Sequence, residues 1–185
     1  MRLSTGRPSG RRDPAPRGHT SRVSHDLARL LLLQDGVVTR SQALRFMTVD
    51  ALRHRVASGR WRLVHRGLYV AQSGPVTGPQ RDWIGVLGAG RGHAVLAGLS
   101  ALSRFGFRGY QDRLVHVLPP ARYQDTDPPR GVAVHRTRWL PGSEVHSRGR
   151  PPSTMPARSL VDAAQWAPDE DRARAIVPPG TSSVS

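Results

Sequence analysis

The sequence predicts an α+β fold, with a helical, hairpin-bearing unit at residues 23–72, a small α+β unit at residues 80–166, and disordered ends. Three observations predict it. Residues 37–70, VVTRSQALRFMTVDALRHRVASGRWRLVHRGLYV, hold two capped helical segments of ten or fewer residues and then an aromatic, Arg-flanked strand pair. Residues 80–166 mix amphipathic helical spacing with short alternating strands. Residues 1–22 and 167–185 carry few side chains that a core could use.

Taken in order, residues 1–22 contain six Arg, three Pro and three Gly, the composition of a disordered basic arm. A first helix is expected from a Ser24 cap through Leu27, Leu30, Leu31 and Leu33, ending near Gly36. Thr39 and Gln42 form a capping box, in which the Thr hydroxyl accepts the third helical N–H and the Gln side chain reaches back to the cap, so a second helix begins at Arg40. Ala43, Leu44 and Met47 follow at helical spacing, and Val38 can pack on Ala43 as a staple. Thr48 is the next cap. Behind it Val49, Leu52 and Val56 lie within about one-sixth of a turn of each other and make one apolar stripe, which Gly59 ends in the left-handed position. Trp61, Leu63, Leu68, Tyr69 and Val70 are strand formers interrupted by His65, Arg66 and Gly67, as in a short hairpin. Helix, turn, helix and hairpin in this order predict a winged helix-turn-helix.

Residues 73–79, rich in Gly and Pro, read as a linker. Pro79 suits the first position of a helix carrying Trp83, Ile84 and Leu87 and ending at Gly90. His93–Ala97 reads as a short buried strand, Leu99–Phe107 as a helix, and LVHVL at 114–118 and GVAVHR at 131–136 as strands. Pro156 opens a last helix, Ala157–Trp166, with Leu160, Val161 and Ala164 inward. Beyond Trp166 the sequence turns to acids, prolines and a Ser/Thr tail: Asp169–Ile176 would make two helical turns with its acids at the favourable N-terminal end, Pro178 and Pro179 stop it, and residues 167–185 are expected to be mostly disordered and the chain to be a shortened one.

Charge is unevenly spread. All 28 basic residues are Arg and none is Lys, and the net charge is +15. Residues 1–72 hold 14 Arg against four acids, for +10, and residues 73–185 hold 14 against nine, for +5, so basicity is concentrated on the unit expected to bind DNA. On its third helix Asp50, Ala51, His54 and Ser58 lie opposite the apolar stripe, with Arg53 and Arg55 on the flanks and Arg60, Arg62 and Arg66 in or beside the hairpin. With Arg40 at the second helix start, the expected DNA-binding set is Arg40, Arg53, His54, Arg55, Ser58, Arg60, Arg62 and Arg66: arginines on phosphates, His54 and Ser58 facing base edges. A solvated helix face is the alternative. Charge and helical phase together favour the groove-facing use, although Asp50 opposes it unless it only caps the helix or accepts from a cytosine amino group.

Catalysis finds little support. There is no cysteine, hence no thiol nucleophile, Cys-ligated zinc or disulfide framework, and the longest apolar run near the start, Leu30–Leu33, is too short for a signal segment or a membrane span, so a cytoplasmic location is expected. GAGRGH at 88–93 has G-x-G-x-G spacing instead of the dinucleotide fingerprint, and a P-loop would need a Lys. Ser100 in GLSAL lacks the second Gly of a nucleophile elbow. A nuclease would need clustered carboxylates, but Glu144 and Glu170 are the only glutamates, and Asp169, Glu170 and Asp171, being adjacent, fan apart on a helix. His116 and His135 could face each other across two strands, without an evident third ligand for a metal. An RNA-binding surface would expose aromatics, whereas Trp61, Tyr69, Trp83 and Trp166 fall in phase with apolar neighbours. The expectation is a non-catalytic protein with no cofactor and no metal.

The stretches QDGVVTRSQAL, DALRHRVASGRWRLVHRGLYV, AVLAGLSAL, VHVLPP, GVAVHRTRWL and PARSLVDAA, over about residues 26–166 and with HRG-x-Y the most specific, resemble the AbiEi-type antitoxin family of type IV toxin-antitoxin systems, in particular its actinobacterial members. The resemblance implies an N-terminal winged helix that binds promoter DNA and represses its own operon, and an antitoxin domain that counteracts a nucleotidyltransferase-type toxin. By position it assigns DNA contact to Arg53, Arg55, Arg60, Arg62 and Arg66. The chain departs from many such proteins in lacking a following Vsr-like, endonuclease-fold domain, and in having Ala97 and Met155 where Ser or Thr would cap a helix. The expected partners are double-stranded DNA, read by two copies on paired half-sites from a free monomer, and a toxin, with no membrane. The rival readings are a protein-binding module that acts on a toxin without sequence-specific DNA binding, and a truncated remnant of a Vsr-like endonuclease-fold protein.

Overall fold

A computed structural model describes the backbone of residues 18–108, 112–123 and 127–176, with side chains from residue 24 onward. The chain is mixed α+β. In order, α1 (Gly18–Leu33), β1 (Val37–Thr39), α2 (Arg40–Ala43), α3 (Val49–Ala57), β2 (Arg62–His65) and β3 (Leu68–Val70) are followed by α4 (Gly78–Gly88), β4 (Val95–Leu96), α5 (Gly98–Arg104), β5 (Val115–Leu118), β6 (Val132–Val134), β7 (Val145–His146), β8 (Ser153–Thr154), α6 (Pro156–Gln165) and α7 (Glu170–Ile176). The first three strands form an antiparallel sheet of order β1-β3-β2, and the other five form a mixed sheet of order β6-β5-β4-β8-β7.

The small sheet is buried on both faces. Cross-strand partners share a face, and Val38, paired with Tyr69, lies toward α1, α2 and α3 in a cluster with Leu27, Ala43, Leu52 and Trp61. Val37, paired with Val70, lies on the other face against Trp83 and Ile84 of α4. The opposite side of α4 rests on β4 and β5, where Val86 joins Leu96, Val115 and Val117. Gly85 and Gly88 allow this approach: a Cβ on Gly85 would stand 2.8 Å from Val115 Cγ1, and one on Gly88 would overlap Pro129. Burial of Trp83 and Ile84 contributes about 1.5–3 kcal/mol each.

Polar contacts fix how α4 sits. Thr77 and Gln80 make a complete capping box at its start, the same T-x-x-Q spacing that starts α2. Asp35, in left-handed backbone at φ 49°, accepts from Trp83 Nε1 through its carboxylate at 3.1 Å and from Gln80 Nε2 through its carbonyl at 2.9 Å. The turn between α1 and β1 is thereby fastened to α4.

Several expectations are corrected. Helix α1 begins at Gly18, so residues 18–22 are helical and Ser24 is interior, while residues 1–17 lie outside the described residues. Helix α2 ends at Ala43 and its continuation to Met47 is a turn. Residues 37–39 are a third strand, because both faces of the hairpin's sheet must be covered and β3 needs a neighbour on each edge. Thr77 caps α4 inside the stretch read as a linker. On α6, Ser159, Asp162 and Ala163 point inward and Val161 is 62% exposed, because Ser159 is drawn in by hydrogen bonds to Thr154 and the Met155 carbonyl. Residues 170–176 form α7, within the two helical turns expected at 169–176, but Ile176 is 1% exposed among Leu102 and Ala163, so this segment is docked and not part of a loose tail; residues 177–185 lie outside the described residues.

The burial of Ile176 yields a test. Ile176→Ala should cost about 2–4 kcal/mol, a fall in Tm of roughly 5–15 °C for a chain of this length. Thermal unfolding followed by circular dichroism reads it, and a fall below about 3 °C would show that α7 contributes little.

Candidate nucleic-acid interface

The basic residues expected to act together come from α2, α3 and the hairpin, and short-range chemistry places each. The Thr39 hydroxyl accepts from Gln42 N–H at 3.2 Å and Gln42 Oε1 accepts from Thr39 N–H at 3.0 Å, closing the cap of α2. Arg40 N–H, free of a helical partner at the first turn, donates to the Gly67 carbonyl at 2.7 Å. Gly67 holds φ 69°, which a side chain would strain, so the two-residue tip Arg66–Gly67 closes tightly and is pinned to the start of α2. Arg40 and Arg66, both exposed, therefore stand beside each other.

Helix α3 starts on Thr48, whose hydroxyl accepts from Ala51 N–H at 3.2 Å, and ends before Gly59 at φ 70°. Leu52 and Val56 hold it on the core and leave Asp50, Arg53, His54 and Ser58 exposed. Arg60 folds back over its C-terminal end, donating through Nε to Ser58 Oγ at 3.1 Å and lying 3.0 Å from His54 Nε2. Arg53 pairs with Asp50 at 3.1 Å, both well exposed, so this pair adds little to stability and can open toward a phosphate.

The structure brings His54, Ser58 and Arg60 together, sets Arg53 on the same helix face, and joins Arg40 with Arg66 at the hairpin tip. Arg55 and Arg62 are placed elsewhere. Arg55 is half-buried, its guanidinium 5.7 Å from the Trp61 ring centroid and 3.7 Å from Met47 Sδ, where it braces the turn into β2. Arg62 pairs with Val70, so it lies on the α4 face of the sheet, opposite to the helices. Sequence spacing put Arg55 on the flank of the helix and Arg62 in or beside the hairpin; strand alternation is the signal that separates Arg62.

Arg91 escaped the sequence reading. GAGRGH forms a tight turn in which Arg91 itself is left-handed at φ 55° between Gly90 and Gly92, and it lines a cleft of about 620 Å³ with Thr39, Ser41, His65 and Arg66. Left-handed backbone at a non-glycine residue costs of order 1–2 kcal/mol.

The two histidines do meet, inside the molecule. Asp112 Oδ2 is 2.9 Å from His116 Nε2, and His116 Nδ1 is 2.7 Å from His135 Nε2. Trp166 stacks on His135 with centroids 3.4 Å apart and planes 6° apart. Against a desolvation that would raise it, the Leu114 N–H and the His116 ring hold the Asp112 carboxyl below its usual range. With Asp112 accepting from Nε2, His116 Nδ1 is left to accept from His135. Among the described residues no group of three His, Cys, Asp or Glu could hold a metal ion. Nearby, Arg158 donates to Glu144 at 2.6 Å, to Asp162 at 2.9 Å and to Thr137 at 3.3 Å, tying α6 to the connection between β6 and β7. Burial raises the Asp162 carboxyl despite Arg158.

Burial, and secondarily the neighbouring His116, pushes His135 down from 6.5 to about 4. Above pH 6.5 the ring is neutral folded or unfolded; between about 6.5 and 4 the unfolded chain takes a proton that the folded one refuses, so stability falls as pH falls. His135→Gln should therefore lose less Tm than the wild type over that window. Parallel curves of Tm against pH would refute the assignment.

No family model matches the chain, and no curated protein matches it. Among solved structures the chain aligns with the crystal structure of RV2827C protein from Mycobacterium tuberculosis, over 84% of this chain and 71% of that one, at 18% identity and a TM-score of 0.46.

Proposed function

We propose that residues 23–72 form a winged helix-turn-helix that binds duplex DNA without catalysis, and that the chain is a cytoplasmic transcriptional regulator. In this reading α3 enters the major groove with His54 and Ser58 toward base edges, while Arg40, Arg53, Arg60, Arg66 and Arg91 hold phosphates. The observation that carries it is the hairpin tip fastened to the first residue of α2, which sets Arg66 beside Arg40 in the same unit as the exposed His54, Ser58 and Arg60. No helix among the described residues is long and apolar enough to cross a membrane.

The resemblance to AbiEi-type antitoxins supports the further reading that the chain represses its own operon and opposes a nucleotidyltransferase-type toxin, as a free monomer that meets DNA in two copies. A nucleotidyltransferase-like reading frame beside the gene, and rescue of cells expressing it, test that part.

Binding of the full chain to its own upstream duplex, followed by fluorescence anisotropy across a salt series, tests the DNA part. Log K against log salt should have a slope of magnitude roughly 4–7. A flat response, or no binding at low salt, refutes the proposal. Arg66→Ala or Arg60→Ala should weaken all sequences alike and lower the slope by about 1, whereas His54→Ala should change which sequence is preferred. Arg62→Ala, on the far face of the sheet, should leave the slope unchanged.

A further inference from the structure

Arg62 has a different setting. It lines a half-open groove of about 490 Å³ between the small sheet, α4 and the ends of β5 and β6, together with Arg81, Arg113 and Arg130. The floor is apolar, formed by Val64, Val76, Ile84, Val115, Pro129 and Val132. Among the described residues no acid lines the groove itself and none of the four arginines makes an ion pair, although Asp82 and Asp112 line the adjoining pocket with Arg81 and Arg113. Backbone register brings two of them side by side. Val115 pairs with Val132 and its N–H donates to the Gly131 carbonyl at 2.8 Å, so Arg113 and Arg130 precede neighbouring parallel strands at the same end. Arg81 is on the first turns of α4 and Arg62 faces it from β2.

Like charges converging on an apolar wall raise the local potential, which an anion relieves. Guanidinium groups bind carboxylate or phosphate with two parallel hydrogen bonds, and a floor of valines and isoleucine favours an apolar body. A DNA backbone would match the arginines but leave that floor without use. We infer that this groove binds a soluble small amphipathic anion, a carboxylate or phosphate on an apolar body, with the head group at Arg113 and Arg130 and the body on Val64, Ile84 and Val115. The site is independent of the DNA-binding reading. Its walls come from both sheets, so occupancy ties β2 to the second sheet.

Isothermal titration of the full chain with octyl phosphate tests this, with inorganic phosphate and octan-1-ol as single-feature probes. The expectation is one-to-one binding of octyl phosphate, at least about tenfold tighter than either probe. Arg113→Gln combined with Arg130→Gln should weaken it by about tenfold or more, with an unchanged circular dichroism spectrum, while Arg174→Ala, on the exposed face of α7, should not. Octanoate should bind at the same site, in competition. Three results would overturn the inference: inorganic phosphate binding as tightly as octyl phosphate, the double variant binding as the wild type does, or no binding of octyl phosphate. If the last came with a loss of duplex affinity in that variant, the groove would be a DNA-backbone surface. Absence of DNA binding with octyl phosphate binding intact would count against the proposed function alone.

Discussion

Helix α4 has to be dry on two sides, and most of the molecule is arranged around that requirement. One side carries Trp83 and Ile84 into the small sheet; the other brings Val86 to the large sheet, with Gly85 close enough that a methyl group would collide with Val115. A single helix thereby supplies wall to two cores. The capping box at Thr77 and the clasp on Asp35 then fix the angle at which it is held. Without that helix the face bearing Val37, Leu68 and Val70 would meet water, so the hairpin that presents Arg66 owes its position to a residue span outside the unit in which it lies.

The arginines divide by surroundings. Some are engaged in structure: Arg55 against Trp61, and Arg158 between Glu144 and Asp162. Others, Arg40, Arg60 and Arg66, stand in water, and a third group lines the groove behind the sheet. Composition alone cannot make this division, because a planar guanidinium suits stacking, ion pairing and anion binding equally. Burial and strand parity decide among them.

Local chemistry was the legible part. The caps at Thr39 and Thr48, the left-handed Gly59, the hairpin turn and the proline start of α6 rest on contacts within a few residues, and those can be read along the chain. What escaped depends on distant partners. Residues 37–39 look like the lead into a helix until β3 pairs with them. Helices α5 and α6 begin without side-chain caps at Ala97 and Met155; α5 is held on β5 and β8, and α6 between α5 and α7, by packing between distant segments. The Thr77–Gln80 box had the same signature as Thr39–Gln42 and was hidden by the glycines and prolines around it. For the candidate site, helical phase placed His54, Ser58 and Arg53, while Arg62 needed the sheet and Arg91 needed the fold of a glycine-rich turn.

The contact of Ile176 with Leu102 and Ala163 also bears on time. A chain emerging from the ribosome at about 5–20 residues per second can close the cluster around Leu52 and Trp61 soon after residue 71 is made, and can seal the other face of the small sheet once α4 has followed. The cluster around Leu102 must wait another 74 residues, from 102 to 176, or roughly 4–15 s at that rate of synthesis. For most of that interval Leu102 lacks both Ala163 and Ile176. The second sheet, which needs β8 at Ser153–Thr154 beside β4, likewise stays open for longer than the first.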